Sequence, residues 1–219
     1  MKHLILALAF SSALALTARA EGDWTPLLDA KLTGWTDAKG NPPPPGWVME
    51  DGGTLHRTAK SGDLISTKEY SSFELEWDWK VAEGANSGLK YWVNAFGKKG
   101  MLGIEYQMID DERHADAKRG NNHNTASIYD IKGASPEKAV KPAGEWNHSR
   151  IVIKNGVIEH YLNGKLAVSA DTKSSEWPAL IAESKFKTVE GFAPGKGRLL
   201  LQDHGDEVWF KDIKIKELP

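Results

Sequence analysis

The 219-residue chain contains no cysteine. That absence excludes disulfides, thiolate nucleophiles, cysteine-ligated zinc, iron–sulfur clusters and a lipid-modified N-terminal cysteine. An excess of positive charge is missing as well. Against 28 Lys and Arg stand 30 Asp and Glu, a formal net charge of −2, so nucleic acid is not an expected partner. Nor is there an apolar run able to cross a bilayer. The longest, residues 4–16, is shorter than the ~20 residues a spanning helix needs. No Gly-x-Ser-x-Gly elbow and no dinucleotide-binding glycine fingerprint occurs, which removes the Ser-His-Asp hydrolase and the self-contained oxidoreductase from consideration.

What the N-terminus does carry is an export signal. Lys2 and His3 precede the short apolar run, and Ala18-Arg19-Ala20 offers small residues at the −3 and −1 positions of a cleavage site. Residues 1–20 are therefore expected to be a cleaved signal peptide and 21–219 the mature domain. A cysteine-free exported chain of this length suits a bacterial periplasm or the secreted space, where a large core replaces disulfides.

Past Ala20 no long 3.6-residue apolar period appears, whereas alternation of period two recurs. Phe73, Leu75, Trp77, Trp79 and Val81 alternate with Glu74, Glu76, Asp78 and Lys80, and Ile104, Tyr106 and Met108 alternate with Glu105 and Gln107. Asn155-Gly156 and Asn163-Gly164 stand between alternating runs, the strongest short hairpin signal. Residues 199–204 and 208–215 read as a further antiparallel pair about Gly205-Asp206. The expected architecture is all-β, a single-domain sandwich or barrel.

One face of such a sheet packs inward and the other meets water or ligand. Directing Leu75, Trp77 and Ile104 inward turns Glu105 and Gln107 outward. The same logic turns Gln202 and His204 outward and gathers Gly88, Lys90 and Trp92 on one face. Asp203 alternates inward as a buried hydrogen-bonding residue. Carboxylates, amides, a lysine, a histidine and an aromatic ring on one face suit a carbohydrate, since polar groups meet hydroxyls and a ring stacks on the sugar. A wet face laced by cross-strand ion pairs is the plainer reading. The long polar segment 110–124, which includes Lys118, follows the Glu105 strand directly. Asp110, Asp111 and His114 in it could offer a divalent metal oxygen and imidazole ligands. A retaining glycosidase would need a Glu-x-Asp-x-Glu strand, and Lys80 and Val81 occupy the positions where the last glutamate would stand.

A series of motifs runs in order along the mature chain. It comprises Gly46-Trp47-Val48-Met49-Glu50-Asp51-Gly52, then Asn86-Ser87-Gly88, then Glu105-Tyr106-Gln107-Met108-Ile109-Asp110-Asp111 running on to His114 and Ala117-Lys118. Ser127-Ile128-Tyr129-Asp130, Lys141-Pro142-Ala143-Gly144-Glu145-Trp146-Asn147, Leu162-Asn163-Gly164 and Ser184-Lys185-Phe186 follow. Leu201-Gln202-Asp203-His204-Gly205 and Val208-Trp209-Phe210 close the series. In these motifs the chain resembles the bacterial 3-keto-disaccharide hydrolase domain family. The resemblance implies a concanavalin A-like jelly-roll sandwich whose concave face binds a glycoside or oligosaccharide. Many relatives carry an arginine after Asn-Ser-Gly where this chain has Lys90, which would exchange a planar fork for a point charge.

The resemblance also implies a chemistry. A ketone at sugar C3 acidifies the C2 proton, and the glycosidic oxygen on C1 is then placed for elimination, with water added afterwards. His204 is the first candidate for the base, with Glu105 as alternative base or metal ligand. Tyr129, Lys90, Gln107 and Gln202 are candidate donors to sugar or enolate oxygens, and Asn86, Trp92 and Lys118 complete the expected substrate contacts. Lys185 is expected to lie at the surface or against substrate. A divalent ion held through Asp110 or His114 would polarise the ketone. A sugar 3-dehydrogenase would have to act upstream. A carbohydrate-binding module using the same face is the alternative from another class.

Overall fold

The computed structural model describes residues 23–219; the expected signal peptide lies outside them. The strands are β1 (Thr25–Pro26), β2 (Trp35–Thr36), β3 (Trp47–Glu50), β4 (Thr54–Arg57), β5 (Leu64–Tyr70), β6 (Phe73–Val81) and β7 (Asn86–Ala95). They continue as β8 (Met101–Ile109), β9 (Asn147–Lys154), β10 (Val157–Leu162), β11 (Lys165–Asp171), β12 (Gly197–Leu201) and β13 (Val208–Glu217), with one short helix, α1 (Trp177–Glu183). No helix among the described residues is long and apolar enough to cross a membrane.

Two antiparallel sheets face each other. The first runs β11-β10-β9-β6-β13-β4-β3, with β1 added beside β13, and the second runs β2-β5-β12-β7-β8. Alternation in β6 plays out as expected: Phe73, Leu75, Trp77, Trp79 and Val81 are buried while the residues between them are not. Between the sheets Trp77 meets Tyr106 edge-on with ring centroids 4.9 Å apart, and Phe73 meets Tyr91 at 6.2 Å. Asn155 and Gly156 (φ 54° and 91°) and Asn163 and Gly164 (φ 49° and 82°) both take left-handed conformations. Those turns join β9 to β10 and β10 to β11, as the Asn-Gly pairs foretold.

Two expectations fail, each for a definite reason. Residues 199–204 and 208–215 do not pair with each other. β12 lies between β5 and β7 in the second sheet, and β13 between β6 and β4 in the first, so Gly205-Asp206 turns a corner between sheets. Leu199, Leu200 and Leu201 are all fully buried, the pattern of a central strand covered on both faces, which period alone does not place in a sheet. Trp92, secondly, does not share a face with Lys90. The β7–β8 register shifts between Tyr91 and Asn94, Trp92 takes φ 51°, and its indole turns into the core, donating Nε1–H to the Ser71 carbonyl at 2.9 Å. This bulge reverses the side-chain alternation, and Trp92 is removed from the expected sugar contacts.

Candidate active site

The outer face of the second sheet is identified by a small cluster, Ile65, Val93 and Leu200, separate from the main core. Register then places the polar residues. Ile65 pairs with Leu200, Leu200 with Lys90 and Lys90 with Glu105, so four strands lay these side chains in one row. One step along, Gly88 pairs with Gln107, and the Gln202 N–H donates to the Gly88 carbonyl at 3.0 Å. Asp63, just before β5, ends this second row, its Oδ1 accepting the Asp203 N–H at 2.9 Å.

Glu105 is 4% exposed and stands 3.5 Å from the Lys90 ammonium. Its room comes from Gly88. A Cβ there would sit 2.4 Å from Glu105 Oε1, so glycine lets the carboxylate fold across the neighbouring strand. Around the pair, the side-chain oxygens of Asn86, Gln107 and Gln202 are buried and accept no hydrogen bond among the described residues. Such orphans cost about 1–3 kcal/mol each, and a ligand bearing hydroxyl groups would satisfy all three.

Residues 110–132 close the edge of the sheet beside β8. Ala126 N–H donates to the Gln107 carbonyl, Gln107 N–H to Ser127 and Tyr129 N–H to Glu105. Tyr129 thereby stands over the Glu105 strand, but its hydroxyl hydrogen is committed to Asp116 Oδ2 at 2.7 Å. Burial, and then that carboxylate, raise the phenol above its ordinary range. His123, 4% exposed, spans Asp116 and Asp130 with its two ring nitrogens at 3.3 and 3.2 Å. Burial alone would raise Asp116; hydrogen bonds from Arg119, Tyr129 and His123 outweigh it and hold the group at about 2. Lys185 donates its backbone N–H to Asp130 Oδ2, and its ammonium lies 4.1 Å over the Tyr129 ring. Crowding by protein lowers this lysine, with Lys90 adding repulsion and Glu105 opposing both. Asp63 is raised by burial first, against the Asp203 N–H bond and the Lys90 charge that draw it back, while the charges of Asp203 and Glu105 add to the rise.

The expected metal loop is occupied otherwise. Asp110 accepts N–H bonds from Gly84, Glu112 and Arg113 at 2.8, 3.0 and 3.1 Å. Asp111 accepts from the Thr125 N–H and pairs with Lys138 at 3.1 Å. His114 Nδ1 accepts the Asp116 N–H at 3.0 Å, whereas a metal-bound histidine donates from its second nitrogen. These residues shape the loop and do not fit a metal in this arrangement. His114 instead lies beside His204 and Asp206, one side-chain atom of each within 4.8 Å of the others.

Of the residues named from sequence, Glu105, Lys90, Gln107, Gln202, Asn86 and Tyr129 are brought together. His204 stands at the rim with His114. Lys118 is exposed, its ammonium held by the Asp111 carbonyl at 3.1 Å. Asp203 is inward as expected, in a buried pair with Arg57 at 2.7 Å while accepting N–H bonds from Ser61 and Gly62. Asp63 and His123 carried no functional reading in the sequence. Both lie outside strands, where alternation gives no direction.

Comparisons with known proteins show the family and the fold. A family described as the 3-keto-alpha-glucoside-1,2-lyase-like domain matches residues 23–216. A 3-keto-disaccharide hydrolase of Bacteroides thetaiotaomicron is 33% identical over 238 residues, covering 94% of this chain and 81% of the relative. The crystal structure of a candidate glycosyl hydrolase from Parabacteroides distasonis superposes with TM-score 0.81 at 34% identity, over 94% of this chain and 99% of that one. The catalytic domain of an endo-1,3-beta-glucanase from Thermotoga petrophila shares the fold alone, at TM-score 0.50 and 13% identity over 90% of this chain and 98% of that one.

Proposed function

The chain belongs to the 3-keto-alpha-glucoside-1,2-lyase-like domain family and is a glycoside-cleaving hydrolase of 3-keto sugars; we propose that it works by elimination followed by hydration. The observation that carries the reading is the ion pair of half-buried Lys90 with buried Glu105, set among three amide oxygens that accept no hydrogen bond among the described residues. Hydroxyl donors of a sugar ring satisfy those oxygens and set the ring over the carboxylate.

Glu105 removes the C2 proton, made acidic by the C3 ketone, and Lys90 and Lys185 stabilise the enolate oxygen that forms. Tyr129 takes a positioning role, since its proton is already given to Asp116. The C1–O bond then breaks. His204, protonated, passes its proton to the departing aglycone oxygen and is left neutral. Water adds to C1 of the unsaturated ketone, giving one proton to His204, while Glu105 returns its proton to C2. One water is consumed and both residues regain their starting states. The substrate arrives oxidised, so we place a sugar 3-dehydrogenase upstream. We place the enzyme itself outside the cytoplasm, behind a leader cleaved after Ala20; an N-terminal sequence of the exported protein starting at Glu21 is the expected result.

The direct test is turnover of a 3-keto-glucoside beside the unoxidised glucoside, with and without EDTA. Cleavage of the keto sugar alone, undiminished by EDTA, is expected. Cleavage of the plain glucoside would overturn the reading in favour of paired-carboxylate chemistry. Saccharide binding without cleavage of either would leave a binding module. His204→Ala is expected to cost ~10²–10⁴-fold in turnover, the range for loss of a positioned acid or base.

A further inference from the structure

His114 lies in the loop after β8, and His204 and Asp206 lie on the corner between β12 and β13. A ring nitrogen of each histidine and a carboxylate oxygen of Asp206 all fall within 4.8 Å of one another. Yet among the described residues no hydrogen bond or ion pair joins any two of them. The rings stand nearly perpendicular, with centroids 6.2 Å apart and planes at 78°. Asp206 is fixed from behind, its Oδ2 accepting the Asn86 N–H at 2.9 Å.

The protons discriminate between occupants. The Asp116 N–H points at His114 Nδ1, so the hydrogen of the neutral ring resides on Nε2. His114 therefore presents a donor, Asp206 an acceptor, and His204 either in turn. That is the complement of a water molecule.

We propose that His114, His204 and Asp206 hold the water that hydrates the unsaturated keto-sugar intermediate, an inference that rests on the elimination reading above. The His114 Nε2–H donates to the water oxygen and Asp206 accepts one of its hydrogens. His204, neutral after protonating the aglycone, accepts the other. The oxygen forms its bond to C1 as the His204-facing hydrogen leaves. The C1–C2 π electrons pass to the ketone oxygen, and the enolate collapses as C2 takes the proton held by Glu105. The socket decides whether the enzyme finishes as a hydrolase or stops as a lyase.

The test uses the mature enzyme and a 3-keto-glucoside deuterated at C2, in ¹⁸O-water. Released aglycone, the ultraviolet-absorbing unsaturated ketone and the hydrated ¹⁸O-labelled sugar are followed separately. In His114→Phe and Asp206→Asn, the ratio of unsaturated to hydrated product is expected to rise ~100-fold or more, with aglycone release serving as the control for folding. Aglycone and hydrated sugar falling in parallel would overturn the socket, as would a stoichiometric divalent metal in the wild type that is lost from His114→Phe. Single-turnover aglycone release by the wild type that is not slowed by C2 deuterium, with no unsaturated ketone from any of the three enzymes, would overturn the elimination reading and the socket with it. Slowing by C2 deuterium with an unchanged product ratio in both variants would overturn the socket alone.

Discussion

Glu105 shows how one side chain can be placed by the absence of another. The carboxylate occupies the space a Cβ at Gly88 would fill. Gly88→Ala is therefore expected to push the far end of Glu105 aside while leaving the strands paired. Thermal unfolding should move little, and kcat should fall ~10-fold or more, because small displacements of a catalytic group are costly. Glu105→Gln keeps the shape and removes the basicity. Its expected loss is ~10²–10⁴-fold in kcat with KM nearly unchanged, measured by steady-state turnover of the keto sugar. Glu105, Gln107 and Lys90 were legible because each sits on a strand whose alternation gives its direction. Trp92 was misplaced because a single bulged residue reverses that alternation. Asp63 and His123 were silent because loops carry no period at all. The protons were out of reach too: that Tyr129 donates to Asp116, and that His114 accepts from a backbone N–H, depends on geometry a sequence does not print.

At the scale of elements, the segment 110–132 is clamped to the far sheet through the core. His160 on β10 is fully buried, its Nδ1 facing the Ala126 carbonyl at 3.0 Å and its Nε2 facing the Tyr91 hydroxyl at 2.9 Å. Nδ1 donates to the carbonyl and Nε2 accepts from tyrosine, an arrangement of the neutral ring. Burial leads in depressing this histidine to about 4, against the raising effect of its backbone hydrogen bonds. The unfolded chain protonates near ~6.5, so below that pH the unfolded state binds the proton first. Its contribution to stability is full above ~6.5 and is lost as pH falls toward 4. The loss is on the order of 3 kcal/mol. Asp116 adds a separate loss lower down, between its ordinary value and about 2. Urea unfolding of wild type and His160→Gln at pH 7, 5.5 and 4.5 checks this; the variant should be weaker at pH 7 and lose much less on acidification. The two hairpins at β9–β11 were readable from their Asn-Gly pairs. The separation of β12 from β13 into different sheets was not, since three consecutive buried leucines fit a helix, an edge pair or a central strand equally well.

For the whole molecule, the family resemblance and the architecture are both legible in the sequence, because the motifs run in order along residues 46–210. Their spatial grouping needed the fold: residues from β5, β7, β8, β12 and two long connections converge on one sheet face. The polar segment after β8 also has a consequence unrelated to chemistry. A bare strand edge is a template on which a second chain can add its own strand, and β8, nine residues long, lies at the border of its sheet. Residues 125–129 cover that border, their peptide groups and the Thr125 hydroxyl occupying the outward-facing positions of Glu105, Gln107 and Ile109. Thr125→Val removes the hydroxyl's bonds to Ile109 and should loosen the cover. Larger species that grow with protein concentration are then expected on size exclusion before the fold itself is lost. The stretch of backbone that seats Tyr129 thus also withholds this sheet edge from a strand of any second chain.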